Sequence, residues 1–158
     1  MKKDKIIKIL NEIGMFLEFL GESPFKYRAY YNGARILSRL DISDNELKNK
    51  EKLKEINGIG DALSKKISTL AEKDYLEYYE RIKSKIPQSV IEMLKVPGLS
   101  PKKVKAIYEN LKIDNIKDLK NACLEDKLIS LPNFGEKVQA KILKAIELYE
   151  NGSKKNEK

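Results

Sequence analysis

Ile56-Asn57-Gly58-Ile59-Gly60-Asp61-Ala62-Leu63-Ser64-Lys65-Lys66-Ile67 decides the reading of this chain, because its pattern occurs three times. Val96-Pro97-Gly98-Leu99-Ser100-Pro101-Lys102-Lys103-Val104-Lys105-Ala106-Ile107 and Leu131-Pro132-Asn133-Phe134-Gly135-Glu136-Lys137-Val138-Gln139-Ala140-Lys141-Ile142 align with it without a gap. Each segment opens on an aliphatic residue, passes through a turn carrying Gly, and has an apolar residue in fourth place (Ile59, Leu99, Phe134) and Ile in twelfth. Each therefore reads as helix, tight turn, helix. Gly allows positive φ and close approach of another backbone. The helix that follows points unpaired N–H groups and the positive end of its dipole at the same place. Backbone alone thus builds an anion site, for which phosphate is the usual occupant. The central apolar residue is expected to tuck inward and pin the turn.

The side chains around the turns favour that use. Lys102 and Lys103 occupy the first turn of a helix, where Asp or Glu would suit the dipole better; a bound phosphate reverses the sign. Lys65, Lys105, Lys137 and Lys141 fall within the helices after their turns. Asn133 stands where the other two segments have their first Gly, and Asn tolerates left-handed backbone. Ser100 stands where the others have their second Gly, so the middle turn is expected to be less comfortable and to differ in detail.

Outward from the repeat, the chain reads as helix throughout. Ile6, Leu10, Ile13, Leu17 and Leu20 form one stripe at helical spacing. Gly21 stops that helix, and Ser23-Pro24 opens another reaching about Leu40. Asp44 is the expected cap of a short helix up to Ile56. A further helix is expected from Tyr75 to about Lys85, ended by Pro87. No alternating apolar stretch suggests a strand. The residues after Tyr149 carry no apolar side chain and are expected to be disordered over 151–158. The fold class is all-α, with two small helical subdomains, 1–85 and 87–150.

Composition limits the chemistry. The 158 residues include 41% hydrophobic and 35% charged side chains, enough apolar content for a core. The absence of His removes imidazole catalysis and His-ligated zinc. The single Cys123 can form no internal disulfide and is expected to be a small core residue. No apolar run is long enough for a membrane span, and no signal peptide is apparent; cytoplasm is the expected location, and a monomer the expected state. The formal charge is +8, and it is shared: 18 basic and 14 acidic residues precede position 91, and 14 and 10 follow. Lys outnumbers Arg 28 to 4, which suits phosphate contact better than base reading.

The three segments are helix-hairpin-helix motifs. Together with Pro24-Phe25-Lys26-Tyr27-Arg28-Ala29-Tyr30 upstream, they make residues 3–150 resemble the amino-terminal part of the bacterial and archaeal X-family DNA polymerases. The resemblance implies a small lyase-type domain over 1–85 and a duplex-gripping helix-hairpin-helix subdomain over 87–150. It implies DNA as partner, gapped or nicked and bearing a 5′-phosphate, in base-excision-type repair. The expected contacts are Lys26, Tyr30, Gly58, Ile59, Gly60 and Lys65 in the first part. In the second they are Gly98, Leu99, Ser100, Lys102, Lys103, Lys105, Asn133, Phe134, Gly135, Lys137 and Lys141. No cofactor is required; the family often holds a monovalent cation, K⁺ or Na⁺, on hairpin carbonyls. The chain carries no strand-borne Asp-x-Asp pair for magnesium and no His-rich phosphoesterase region, so neither polymerase nor nuclease activity is expected of it alone.

The resemblance also implies a possible enzymatic role. In lyase members of the family a Lys on the helix after the first hairpin attacks the sugar aldehyde of an incised abasic site, and Lys66 matches it. Its place beside Leu63, Ile67 and Leu70 favours a neutral amine by partial burial. Lys26 and Tyr30 match positions that touch the 5′-phosphate and sugar. Ala62 and Tyr78 stand where two further pocket lysines are found in the family. Tyr27 and Tyr31, one turn apart, are expected to pack, leaving Tyr30 as the better ligand residue. A third role is that of an accessory or scaffold module for a separate polymerase or repair protein.

Overall fold

The protein is described here by a computed structural model covering residues 1–156. It divides into two compact units, Met1–Lys85 and Ile86–Lys158. Among the described residues every regular element is helical. Among the described residues no helix is long and apolar enough to cross a membrane.

The first unit is built on α1 (Lys3–Phe19) and α2 (Pro24–Arg39), which pack along one another. The stripe Ile6, Leu10, Ile13 and Leu17 is buried as the spacing requires, and Phe16 joins it at 1% exposure. Gly21 ends α1 with φ +81°, and Pro24 occupies the first turn of α2. A 3₁₀ turn at Glu46–Lys48 and the short α3 (Lys50–Lys54) lead to α4 (Asp61–Lys73), followed by α5 (Glu77–Lys83). The expected cap at Asp44 is not made. Asn49 caps α3, accepting from Lys52 N at 3.2 Å, while Asp44 accepts the Lys3 N–H at 2.9 Å. The chain needs two short turns there because Asn49 is extended (φ −95°, ψ 97°) and breaks the helix between them.

α4 lies against α1 and α2. A Cβ placed on Gly33 would lie 2.6 Å from Leu63 Cδ2, so the absence of a side chain lets α4 come this close to α2. Glu12 is buried in this core, and Tyr79 of α5 donates its hydroxyl to Glu12 Oε2 at 2.5 Å. That bond satisfies a carboxylate that burial would otherwise penalise.

The second unit comprises α6 (Gln88–Leu94), α7 (Pro101–Leu111), α8 (Ile116–Leu124), a 3₁₀ turn at Leu128–Ser130, and α9 (Glu136–Asn156). Val90, Met93, Val104, Ile107, Leu119, Leu128 and Ile146 are fully buried and form its core. Cys123 is buried with them, and burial pushes its thiol up to about 11. Tyr149 of α9 donates to Glu92 of α6 at 3.1 Å, and Lys120 of α8 pairs with Glu150 of α9 at 3.3 Å. The expectation of disorder from residue 151 is corrected: α9 continues to Asn156, since extending a formed helix is far easier than starting one. Positions 157–158 of that expectation lie outside the described residues.

Candidate nucleic-acid interface

The three repeats fold to one backbone design. Ile59 N donates to Ile56 O at 3.0 Å, Leu99 N to Val96 O at 3.1 Å, and Phe134 N to Leu131 O at 3.1 Å. The residue before each donor has positive φ: Gly58 at +97°, Gly98 at +86°, Asn133 at +68°. Asn133 therefore adopts the left-handed backbone that its two counterparts reach as glycine. The central residues Ile59, Leu99 and Phe134 are 3%, 3% and 5% exposed. They anchor the turns from inside, and only their backbone can meet a ligand.

The middle turn is not the strained one. Its second position needs no glycine, since Gly60 itself has φ −84° and Ser100 has φ −68°. Each is the N-cap of the helix that follows, and Ser100 is the better cap, accepting from Lys103 N at 3.3 Å. A Cβ on Gly60 or Gly135 would meet no atom within 4 Å, so the surface in front of both turns is open.

The electrostatics of the three turns differ. α4 starts with Asp61 and α9 with Glu136, whereas the first turn of α7 has no acid and carries Lys102 and Lys103. Asp61 is paired with Lys50 at 3.3 Å and Lys54 at 3.1 Å, and these hold its carboxyl below the usual range. Lys102, Lys137 and Lys141 are exposed, and Lys103 and Lys105 half-buried. Lys141 also borders a cleft of about 580 Å³ lined by Pro97, Lys144, Leu148 and Tyr149. The third turn has a support that its sequence did not advertise. Gln139 is buried, accepts from Leu128 N at 3.2 Å and donates to Asp126 at 2.8 Å, tying α9 to the segment that enters the turn.

In the first unit, α2, α4 and α5 bring a second set of residues together. The Lys66 amine lies 4.7 Å from the centre of the Tyr78 ring. Burial first, then the charges of Lys65 and Arg81, lower its pKa from the usual lysine range. Tyr30 stacks on Tyr78, ring centres 6.2 Å apart and planes 14° from parallel. Burial and the neighbouring Tyr78 hydroxyl raise the Tyr30 phenol. Tyr27 is buried and meets Tyr31 edge-on at 6.0 Å. Lys26 is exposed and pairs with Glu22 at 3.3 Å, so a phosphate at Lys26 would compete with a carboxylate.

Sequence reading missed a neighbouring feature. Phe25, 90% exposed, leads a face of α2 with Arg28, Asn32 and Arg35 that borders a groove of about 670 Å³ beside Gly58. The signal was present: these residues recur at helical spacing, and the face ends at the hairpin. Among the described residues no group of three or more Cys, Asp or Glu side chains could hold a metal ion.

Residues 1–76 match the family described as "Helix-hairpin-helix domain", and residues 90–147 match "SAM-like Helix-hairpin-helix tandem". Each unit thus matches a helix-hairpin-helix family over most of its length. The chain is also similar to the DNA polymerase/3′-5′ exonuclease PolX of Bacillus subtilis (strain 168), at 31% identity over 146 residues. That match covers 92% of this chain and 25% of the relative, so the chain spans about a quarter of the relative's length. The two family matches bracket the three turns, one in the first helix-hairpin-helix unit and two in the second.

Proposed function

We propose that the chain binds DNA through phosphate contacts, without reading sequence, at gaps or nicks that carry a 5′-phosphate, in the setting of DNA repair. The observation that carries this reading is the shared backbone of the three turns. Each has a positive-φ residue, a buried apolar anchor and a helix N-terminus facing an open surface. Backbone N–H groups bind phosphate irrespective of base, and the surrounding lysines add a salt-sensitive attraction. The second turn is the strongest anion site by local charge, because no acid opposes the dipole of α7. Phe25 offers an apolar face on which an unpaired base at a gap can stack.

Fluorescence anisotropy with labelled duplex, nicked and gapped oligonucleotides over a salt series tests this. Binding that falls steeply with salt and is indifferent to sequence supports it. No measurable binding at ~50 mM salt, where phosphate contacts are strongest, would overturn it and leave a scaffold role.

Lys66 supports a second reading, that of a lyase on an incised abasic site. The half-buried amine, next to Lys65 and Arg81, is biased toward its neutral, nucleophilic form. Its Nζ would add to the C1′ aldehyde, and loss of water would give an imine. Removal of a C2′ proton would then break the C3′–O bond and free the downstream strand with its 5′-phosphate. Water would hydrolyse the imine, returning the amine and releasing the unsaturated sugar phosphate. Borohydride reduction of the imine on a 5′-incised abasic oligonucleotide reads this directly. An adduct undiminished in Lys66→Ala refutes it.

A further inference from the structure

In the second unit, α9 carries an apolar seam that its own core packing does not use. The helix turns Gln139, Ile142 and Ile146 inward. Lys141, Ala145, Leu148 and Gly152 recur one turn apart on an adjoining stripe. With Pro97 of the second turn, and with Lys144 and Tyr149, they line the cleft of about 580 Å³. The stripe covers about 16 Å of helix, or about three turns. An exposed Leu by itself means little. Leu148, 62% exposed, instead stands in a cleft between two small residues, Ala145 and Gly152. A Cβ on Gly152 would meet nothing within 4 Å, so that end of the cleft is open.

The rim of the cleft is basic and unpaired. The ion pairs of this unit join Lys95 to Glu92, Lys120 to Glu150 and Lys127 to Glu125. Among the described residues none engages Lys141 or Lys144. Glu92, which accepts from Tyr149, is already shared with Lys95 and Gln88. Glu147 lies about 100° around the helix from Leu148, off the seam, and does not line the cleft.

We infer that this cleft is a docking site for an acidic amphipathic helix of a partner protein. The apolar side chains of that helix pack around Leu148, and its carboxylates meet Lys141 and Lys144. A seam of this length suits the i, i+3/i+4, i+7 anchors by which such a helix lies in a groove. Charge complementarity sets the sign, since the lysines attract an acidic segment and repel a basic one. Their stems add apolar area while the ammonium groups stay in water. The apolar floor distinguishes a helix from nucleic acid. Phosphate gains nothing from Pro97, Ala145 and Leu148, whereas a Leu or Phe side chain leaves water there. The inference does not depend on the DNA reading.

The probe is a capped peptide of about 15 residues, the length at which an isolated helix begins to hold. It has Leu at helical spacing on one face and Glu on the other. Its scrambled isomer and a counterpart with Lys in place of Glu are the comparisons. Binding to the full chain is followed by anisotropy of labelled peptide and by amide NMR. The expected result is saturable binding below ~1 mM, at least about tenfold tighter than the scrambled isomer, with shifts centred on Ala145, Leu148 and Gly152. Leu148→Gln, at an exposed position, should weaken the peptide about tenfold and leave affinity for gapped DNA within about twofold. Lys144→Glu should weaken the Glu peptide about fivefold and turn the preference toward its Lys counterpart. No saturable binding below ~1 mM, equal binding of the scrambled isomer, or shifts confined to other residues overturns the site. If Leu148→Gln weakens DNA as much as peptide, the cleft belongs to nucleic acid. If the wild-type chain self-associates and Leu148→Gln abolishes this, the occupant is a second copy. Either outcome overturns the inference.

Discussion

The amine of Lys66 rests on the face of Tyr78, at 4.7 Å, where the family resemblance would put a second lysine. Two forces compete at that contact. The ring attracts the ammonium, by about 0.5–1 kcal/mol at exposed sites. Burial and the charges of Lys65 and Arg81 oppose it and lower the amine's pKa. The folded pKa lies below the unfolded one, so in the window between them the unfolded chain binds more protons and stability rises with pH. Below that window the charged Lys66 is a standing cost. Lys66→Met should therefore be at least as stable as wild type near neutrality, with its advantage shrinking as pH rises through the folded and then the unfolded value. Thermal melts of both proteins across that range check this. A constant deficit at every pH would mean that packing of the lysine stem on Tyr78 dominates.

Gly58→Ala and Gly98→Ala should both destabilise by about 1–2 kcal/mol for the left-handed backbone. The first should cost more, because the new Cβ would lie 2.5 Å from Ile36 Cδ1 while that on Gly98 meets nothing within 4 Å. Asn133→Gly should be neutral or slightly stabilising. Urea unfolding of the three variants tests the order.

Gln139→Leu should cost about 1–3 kcal/mol, since it leaves the Leu128 N–H buried without its acceptor. The same substitution should weaken DNA binding more than its effect on global stability predicts, because the third turn loses the tie between α9 and Asp126. Native-state hydrogen exchange at Leu128 reports the local loosening.

Replacing Lys102 and Lys103 with Ala should reduce the salt slope of DNA binding by about 0.9 for each phosphate contact removed. Sequence preference should not change. The helix itself should gain slightly, because two cations leave the positive end of the α7 dipole. Anisotropy titrations at several salt concentrations, with melts of the same samples, separate the two effects.

The turns were legible in the sequence because their demands are local. A left-handed residue, an apolar anchor and a helix start must fall at fixed spacing, and Asn133 could be recognised as a glycine substitute on that basis. The reading of Ser100 as strained failed for an equally local reason: glycine at that position in the other turns is an N-cap without positive φ, and composition cannot tell the two uses of glycine apart. The Tyr30–Tyr78–Lys66–Arg81 cluster was only half visible. Its members come from α2, α4 and α5, and which faces meet depends on how closely Gly33 lets α4 approach α2. Gln139 was invisible, since a single Gln inside a helix carries no period.

The anchors Ile59, Leu99 and Phe134 are buried, so a phosphate bound at a turn, as proposed, would meet their main chain and not their side chains. Substitution tolerance would therefore give a misleading map of this protein. A saturation screen would find the exposed turn positions permissive, and would score the anchors and the left-handed residues as folding defects. On the proposed function, residues that shape the ligand surface would be filed with those that merely keep the protein intact.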